Sequence, residues 1–349
     1  MKRVAWIDFS KATGIVMIIV AHSLFGKYAY LSNVLFAINV PIFFVLSGYL
    51  YRDKPYSKII KGGWNNLLLP YLATSLVMAL IIFFGNKFYD PFINNFQFGT
   101  KGVILAMLYG RGAGVTALGY NVPAIGAIWF LLAMFFGNLL YSTLRKFDFS
   151  NENMTLIAII ISLAGFWIEK VFSFPWSINA ALISIVFYWA GSLIKEYQLM
   201  EKITFSRIVI SLLLWLSCAA AGTFYMNASY ATNPILAIVG GIAGSYCVMM
   251  LTKVVAPHLG RLSFYIEKYG QLSLIALCCH IVNLNCFNEF NVFKLMFNNT
   301  LAQSGAILLM FRLLFSIVGV VIIPKLPYLR TFYMYRQYPF SSWKRKPEN

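Results

Sequence analysis

Trp6-Ile7-Asp8-Phe9-Ser10-Lys11-Ala12-Thr13-Gly14-Ile15-Val16-Met17-Ile18-Ile19-Val20-Ala21-His22 reads as the body of a membrane-crossing helix, yet it carries three ionisable side chains. A spanning helix needs about 20 predominantly apolar residues, and the apolar run here extends over about residues 5–27. Lys11 and His22 are eleven positions apart. At ~100° and ~1.5 Å per residue they return to one face of the helix, ~16 Å apart along its axis. The spacing predicts a lysine near the membrane surface and a histidine at about mid-depth. Ionisable groups in hydrocarbon are costly, so a reacting or conducting role is the default expectation for them.

The rest of the chain has the same character. Of 349 residues 60% are hydrophobic and 11% charged, and 17% are aromatic; the mean hydropathy is +0.72. A soluble domain would be about 25% charged. Apolar segments recur at about 5–27, 31–50, 64–85, 123–144, 154–172, 177–194, 206–226, 234–252, 269–288 and 303–323. The fold class expected is all-α, a polytopic integral membrane protein of about ten transmembrane helices. A membrane-embedded domain covers 1–330, and a basic cytoplasmic tail covers 331–349. The charged start of the chain is read as part of an uncleaved first helix, because Asp8 and Lys11 interrupt any signal-peptide core. The stretch 102–120 holds five glycines around Arg111. It suits a re-entrant or interfacial piece, whose backbone must be satisfied by protein or water.

The net charge of +17 suggests nucleic acid only until its distribution is considered. Twenty of the 28 Lys and Arg fall on one side of the ten segments and six on the other. This is the positive-inside pattern. It predicts both termini in the cytoplasm, membrane lipid as the surrounding partner, and no nucleic-acid partner. The five cysteines lie in or beside apolar segments with no CxxC spacing, as apolar filler does. Histidines at 22, 258 and 280 have no metal-ligand spacing, and the chain lacks GxSxG, Walker, HExxH and GxGxxG motifs. No metal and no bound cofactor are expected.

Several side chains could carry chemistry. Asp8 and Lys11 stand at i, i+3 and can pair, as an interfacial ion pair or as part of a site. His22 is either a packed histidine bonded to a neighbouring helix or a general base whose pKa suits the working pH. Asn39 precedes Pro41, which is expected to kink the second segment, and Ser47-Gly48 permits close helix approach. Arg52, Lys54, Lys58 and Lys61 follow at once and suit either a ligand bearing several phosphates or positive-inside anchoring. Trp129 opens a later segment, His280 lies close to Asn283, Asn285 and Glu289 along the chain, and Arg312 falls mid-segment, where it needs an anion or carbonyls.

These residues resemble the acyltransferase-3 family of membrane acyltransferases. Ile7-Asp8-x-x-Lys11-x-x-Gly14-Ile15, ending Ala21-His22, is similar to the family's opening block. Pro41-x-Phe43-Phe44-x-x-Ser47-Gly48-Tyr49-Leu50 and Leu69-Pro70-Tyr71 are similar to the next two. Trp129-Phe130-Leu131 and the run from Gly270 through Ser273 to His280 resemble later, weaker blocks. The flavour is that of bacterial sugar O-acetyltransferases of the fucose-O-acetylase-like branch. Where that branch often has a histidine two residues before the proline, this chain has Asn39. Where many members carry an arginine-rich motif, it has Gly63-Trp64-Asn65-Asn66.

The resemblance implies an acyl-CoA donor and a hydroxyl of a cell-envelope glycan as acceptor. It makes His22 the catalytic residue and assigns Lys11 to the donor. The function expected is therefore transfer of an acetyl group from acetyl-CoA to an envelope glycan or lipid-linked sugar, in a multi-pass protein of the bacterial inner membrane. His22 is the general base, with Asp8 and Asn39 as further candidate catalytic residues. Lys11, Arg52, Lys58 and Lys61 are the candidate donor contacts, and Trp129, His280 and Arg312 the candidate substrate contacts. Asn39, Trp129 or a backbone N–H could serve the oxyanion. A transporter or flippase of lipid-linked sugars is the competing class.

Overall fold

The computed structural model describes residues 4–24, 28–117, 119–296 and 305–341. In chain order the helices begin α1 (Ala5–Leu24), α2 (Ala29–Phe36), α3 (Pro41–Tyr49), α4 (Tyr56–Gly63), α5 (Leu69–Phe88) and α6 (Gly99–Tyr109). A hairpin of β1 (Val115–Ala117) and β2 (Tyr120–Val122) precedes α7 (Trp129–Leu144), α8 (Asn151–Glu169), α9 (Ile178–Glu196) and α10 (Phe205–Ala221). A second hairpin, β3 (Phe224–Tyr225) and β4 (Tyr230–Ala231), precedes α11 (Pro234–Val255), α12 (Arg261–Gln271), α13 (Ser273–Cys286) and α14 (Glu289–Met296). The last described helices are α15 (Gly305–Ile322) and α16 (Leu329–Tyr333).

The protein is an all-α membrane protein. Among the described residues seven helical stretches are long and apolar enough to cross a membrane. The other three of the ten expected segments form shorter apolar helices, α7, α10 and α13. The glycine-rich stretch 102–120 divides between α6 and the first hairpin.

The helix starts are written locally. The Ser150 hydroxyl accepts from the Asn153 N–H at the head of α8, and Thr204 from Arg207 at the head of α10. Asn233 accepts from Ile235 and Leu236 ahead of α11, whose first residue is Pro234. Such caps satisfy N–H groups that have no intrahelical partner. Between α4 and α5 the chain makes a π-helical turn, Trp64–Leu68. Pro70 explains it: proline has no N–H to give and its ring crowds the carbonyl one turn back, which a widened turn accommodates.

The chain falls into two compact units, residues 1–54 with 136–273, and residues 55–135 with 274–349. In the first, α3 and α9 cross so closely that a Cβ on Gly48 would overlap the Tyr188 carbonyl oxygen, and one on Gly191 would overlap that of Val45. Tyr188, Trp189, Phe187 and Phe44 fill the core around this crossing. Ser10 of α1 shares a hydrogen bond with Thr252 of α11 at 2.6 Å, and the Trp215 indole of α10 donates to the Val34 carbonyl at 2.9 Å. In the second unit, the Tyr71 hydroxyl donates to the Met107 carbonyl at 2.6 Å, joining α5 to α6. Thr74 meets the Tyr333 hydroxyl at 3.2 Å, so Thr331 and Tyr333, at the start of the expected tail, are buried. Burial pushes the Tyr333 phenol above its ordinary pKa.

One expectation about the first spans changes. Helix α1 is described as far as Leu24, with His22 in the last described turn, and residues 25–27 of the apolar run lie outside the described residues. The second segment breaks at residues 37–40, ahead of Pro41, which becomes the first residue of α3, the helical position proline tolerates best.

Candidate active site

Helix α1 organises the site in the first unit. Asp8 is buried, and its Oδ1 accepts from Lys11 Nζ at 3.2 Å, so the i, i+3 pair is formed. Helix α12 packs directly over this turn. A Cβ on Gly270 would overlap the Asp8 carbonyl oxygen and crowd the Ala12 amide, so glycine is what lets α12 reach α1 there. One turn earlier the Trp6 indole meets the Tyr49 ring of α3 edge-on, with centroids 5.4 Å apart. The Asp8–Lys11 turn is thus clamped from three sides, by α3, α11 and α12, while Lys11 itself stays half-buried.

His22 lies eleven residues on, on the same face of α1 and ~16 Å along the axis. It too is half-buried. Its imidazole packs edge-to-face on Phe36 at the end of α2, with ring centroids 5.6 Å apart and planes at 81°. Phe36 in turn meets Tyr225 of the second hairpin at 5.5 Å and 75°. Asn39 is buried three residues beyond Phe36, its backbone N–H donating to the Leu35 carbonyl at 2.9 Å, so helical bonding carries through the α2–α3 break. Arg52 is exposed just past the end of α3. The first unit thus brings Asp8 and Lys11 into contact and holds His22, Asn39 and Arg52 in the same helical assembly.

The remaining candidates belong to the second unit. Lys58 and Lys61 are exposed on α4. Trp129 is buried at the start of α7, its backbone N–H on the Gly126 carbonyl and its indole edge-on to Phe130. His280 is fully buried on α13, one turn before the equally buried Asn283. Arg312 of α15 is held by Glu289 at the head of α14: Nη2 reaches Oε2 at 2.6 Å, and Nε reaches both carboxylate oxygens at 2.9 and 3.1 Å. The guanidinium that needed an anion has one inside the protein. Among the described residues no cluster of His, Cys, Asp and Glu could hold a metal ion.

Phe36 and Tyr225 were not among the residues singled out by the sequence, and Glu289 was named only as a chain neighbour of His280, not as the partner of Arg312. Tyr225 had no detectable signal, because it reaches Phe36 only through the fold of its hairpin.

Helix α1 thus carries a lysine and a histidine eleven residues apart on one face, both half-buried, within the stretch that resembles the family's opening block. The family model described as an acyltransferase domain matches residues 4–324. The chain belongs to the acyltransferase-3 family. It is accordingly a multi-pass membrane acyltransferase, which takes an acyl group from a donor and passes it to an acceptor. The matched span covers most of both compact units and every candidate residue named above. No curated protein and no solved structure matches the chain.

Proposed function

We propose that this acyltransferase moves an acetyl group from acetyl-CoA to a hydroxyl of a cell-envelope sugar, polymeric or lipid-linked, at the bacterial inner membrane. The observation that carries the reading is the shared face of α1, with the Lys11–Asp8 pair towards the basic-loop end and His22 in the last turn. The donor's phosphates suit the basic end, where Lys11 and the exposed Arg52 supply positive charge. An extended pantetheine arm suits the interval along α1 to the imidazole. Placement of His22 at the end of α1 away from the basic loops favours an acceptor that arrives from that side.

The thioester already has a good leaving group, so the protein must supply a nucleophile and a stabilised oxyanion. Neutral His22 takes the proton of the sugar hydroxyl as its oxygen attacks the thioester carbonyl. The tetrahedral intermediate collapses with cleavage of the C–S bond, and the imidazolium returns its proton to the departing thiolate. The products are the O-acetyl sugar and free CoA thiol. Asn39 is the candidate donor to the oxyanion, a contribution of ~3 kcal/mol when well aimed. Asp8 positions Lys11 through their ion pair.

The test is direct. Purified protein in nanodiscs receives acetyl-CoA and envelope glycan; thiol release is followed by absorbance and the glycan by mass spectrometry. The expected result is stoichiometric thiol release and a gain of about 42 Da per transferred group, covalent modification being visible as mass. His22→Ala should lower the rate by about 10²–10⁴-fold, the usual contribution of a general base, at unchanged yield of folded protein. Full activity in that variant removes His22 as base, and no thiol release by the wild type removes acetyl-CoA as donor.

A further inference from the structure

We propose that Tyr225, carried by the second hairpin and backed by Phe36, is an acceptor-binding platform that takes the C–H face of a pyranose and presents one of its hydroxyls to His22. The proposal rests on the acetyl-transfer reading above and adds to it the chemistry and the residues of the acceptor site.

The first argument is how firmly this hairpin is held. Phe224 is buried against Phe166 and Phe187, with ring centroids 5.9 and 6.3 Å away. Met226 is buried as well. Side chains alternate along a strand, so anchoring Phe224 on one side of β3 turns Tyr225 to the other. There the Tyr225 ring meets Phe36. The Thr223 N–H donates to the Thr232 hydroxyl at 3.1 Å, Ser229 takes a left-handed φ of 51° to close the turn, and Asn233 caps α11. A twelve-residue connection could have been a plain loop; here its strands, turn and cap fix one ring against Phe36.

The second argument is chemical. His22, Phe36 and Tyr225 form a run of rings, each edge-to-face with the next, and each is half-buried. Aromatic rings that only anchor a helix in the lipid interface have no reason to contact an imidazole. A pyranose has an apolar C–H face and a polar hydroxyl rim. The electron-rich face of an aromatic ring attracts C–H groups, and a tyrosine adds a hydroxyl at its tip for the rim. A sugar seated on Tyr225 has the imidazole one ring away, across Phe36. A general base needs its proton donor within hydrogen-bond reach, and a platform fixed by the core limits the orientations the sugar can adopt, the usual source of rate from positioning.

The experiment uses full-length protein in nanodiscs, radiolabelled acetyl-CoA, and as probes the methyl glycosides of glucose, galactose and N-acetylglucosamine, with glucitol as an acyclic polyol that has hydroxyls but no fixed C–H face. Acetyl-CoA affinity is measured separately by calorimetry. The expected result is transfer to at least one glycoside in preference to glucitol. Tyr225→Leu, which keeps bulk but removes the ring, raises the acceptor KM roughly tenfold or more, as loss of a ring contact does, while acetyl-CoA affinity stays at the wild-type value. Tyr225→Phe restores most of the acceptor affinity. An unchanged acceptor KM in Tyr225→Leu overturns the platform, as does equal weakening of donor and acceptor binding, which marks a packing role. Preference for glucitol, or turnover of acetyl-CoA with no glycoside accepted, also overturns it. A wild-type protein that neither binds nor consumes acetyl-CoA instead overturns the reading on which the platform rests.

Discussion

Arg312 and Glu289 form the most deeply placed ion pair described, with side-chain exposures of 7% and 10%. Burying two charges is costly, and removing one partner strands the other. Arg312→Leu alone, or Glu289→Leu alone, is expected to destabilise the protein by about 3–5 kcal/mol. The double variant Arg312→Leu with Glu289→Leu removes both charges and should recover most of that loss. Thermal unfolding in detergent through the full double-mutant cycle measures it, the coupling energy being what such a cycle isolates. Additive losses would mean that the pair contributes nothing as a pair. At this scale the sequence is legible wherever partners are neighbours. Asp8 and Lys11 are one helical turn apart, and their bond could be anticipated from spacing alone. Arg312 and Glu289 are 23 residues apart, so the need for an anion was readable while its identity was not. The contact of His22 with Phe36 is likewise made by the return of the chain, which no local spacing encodes.

At the scale of elements, the α3–α9 crossing packs backbone on backbone, and its two glycines serve each other's helices. Gly48 admits the Tyr188 carbonyl and Gly191 admits the Val45 carbonyl. A backbone oxygen cannot rotate out of the way as a side chain can, so one added methyl must separate the helices. Gly48→Ala and Gly191→Ala are each expected to lose most of the monodisperse protein on size-exclusion chromatography. Gly62→Ala is the control. Nothing lies within 4 Å of a Cβ there, and replacing glycine in a helix by alanine should gain about 0.5–1 kcal/mol. Equal yields of the three variants would refute the crossing. Ser47-Gly48 was readable as a place of close approach, but its partner Gly191 was not, because a helix presents its small residue without naming what meets it.

Across the whole molecule, the order of helices and the asymmetry of charge make one testable statement about the membrane. Helix α8 is bracketed by Arg145 and Lys146 before it and by Lys170 after it, and the positive-inside rule assigns the first connection to the cytoplasm. Its two flanking positions, Asp148 and Val171, are both exposed. All five native cysteines are buried, so a single introduced cysteine reports without a competing background. Val171→Cys should react with a membrane-impermeant maleimide in intact cells, and Asp148→Cys only after the membrane is opened. The same orientation turns the Asp8–Lys11 end of α1 towards the cytoplasm and the His22 end away from it, as the proposed donor and acceptor sides require. Labelling of Asp148→Cys in intact cells, with Val171→Cys protected, would invert that assignment. The donor would then have to enter at the His22 end, and the direction of acyl transfer along α1 argued from Lys11 to His22 could not stand.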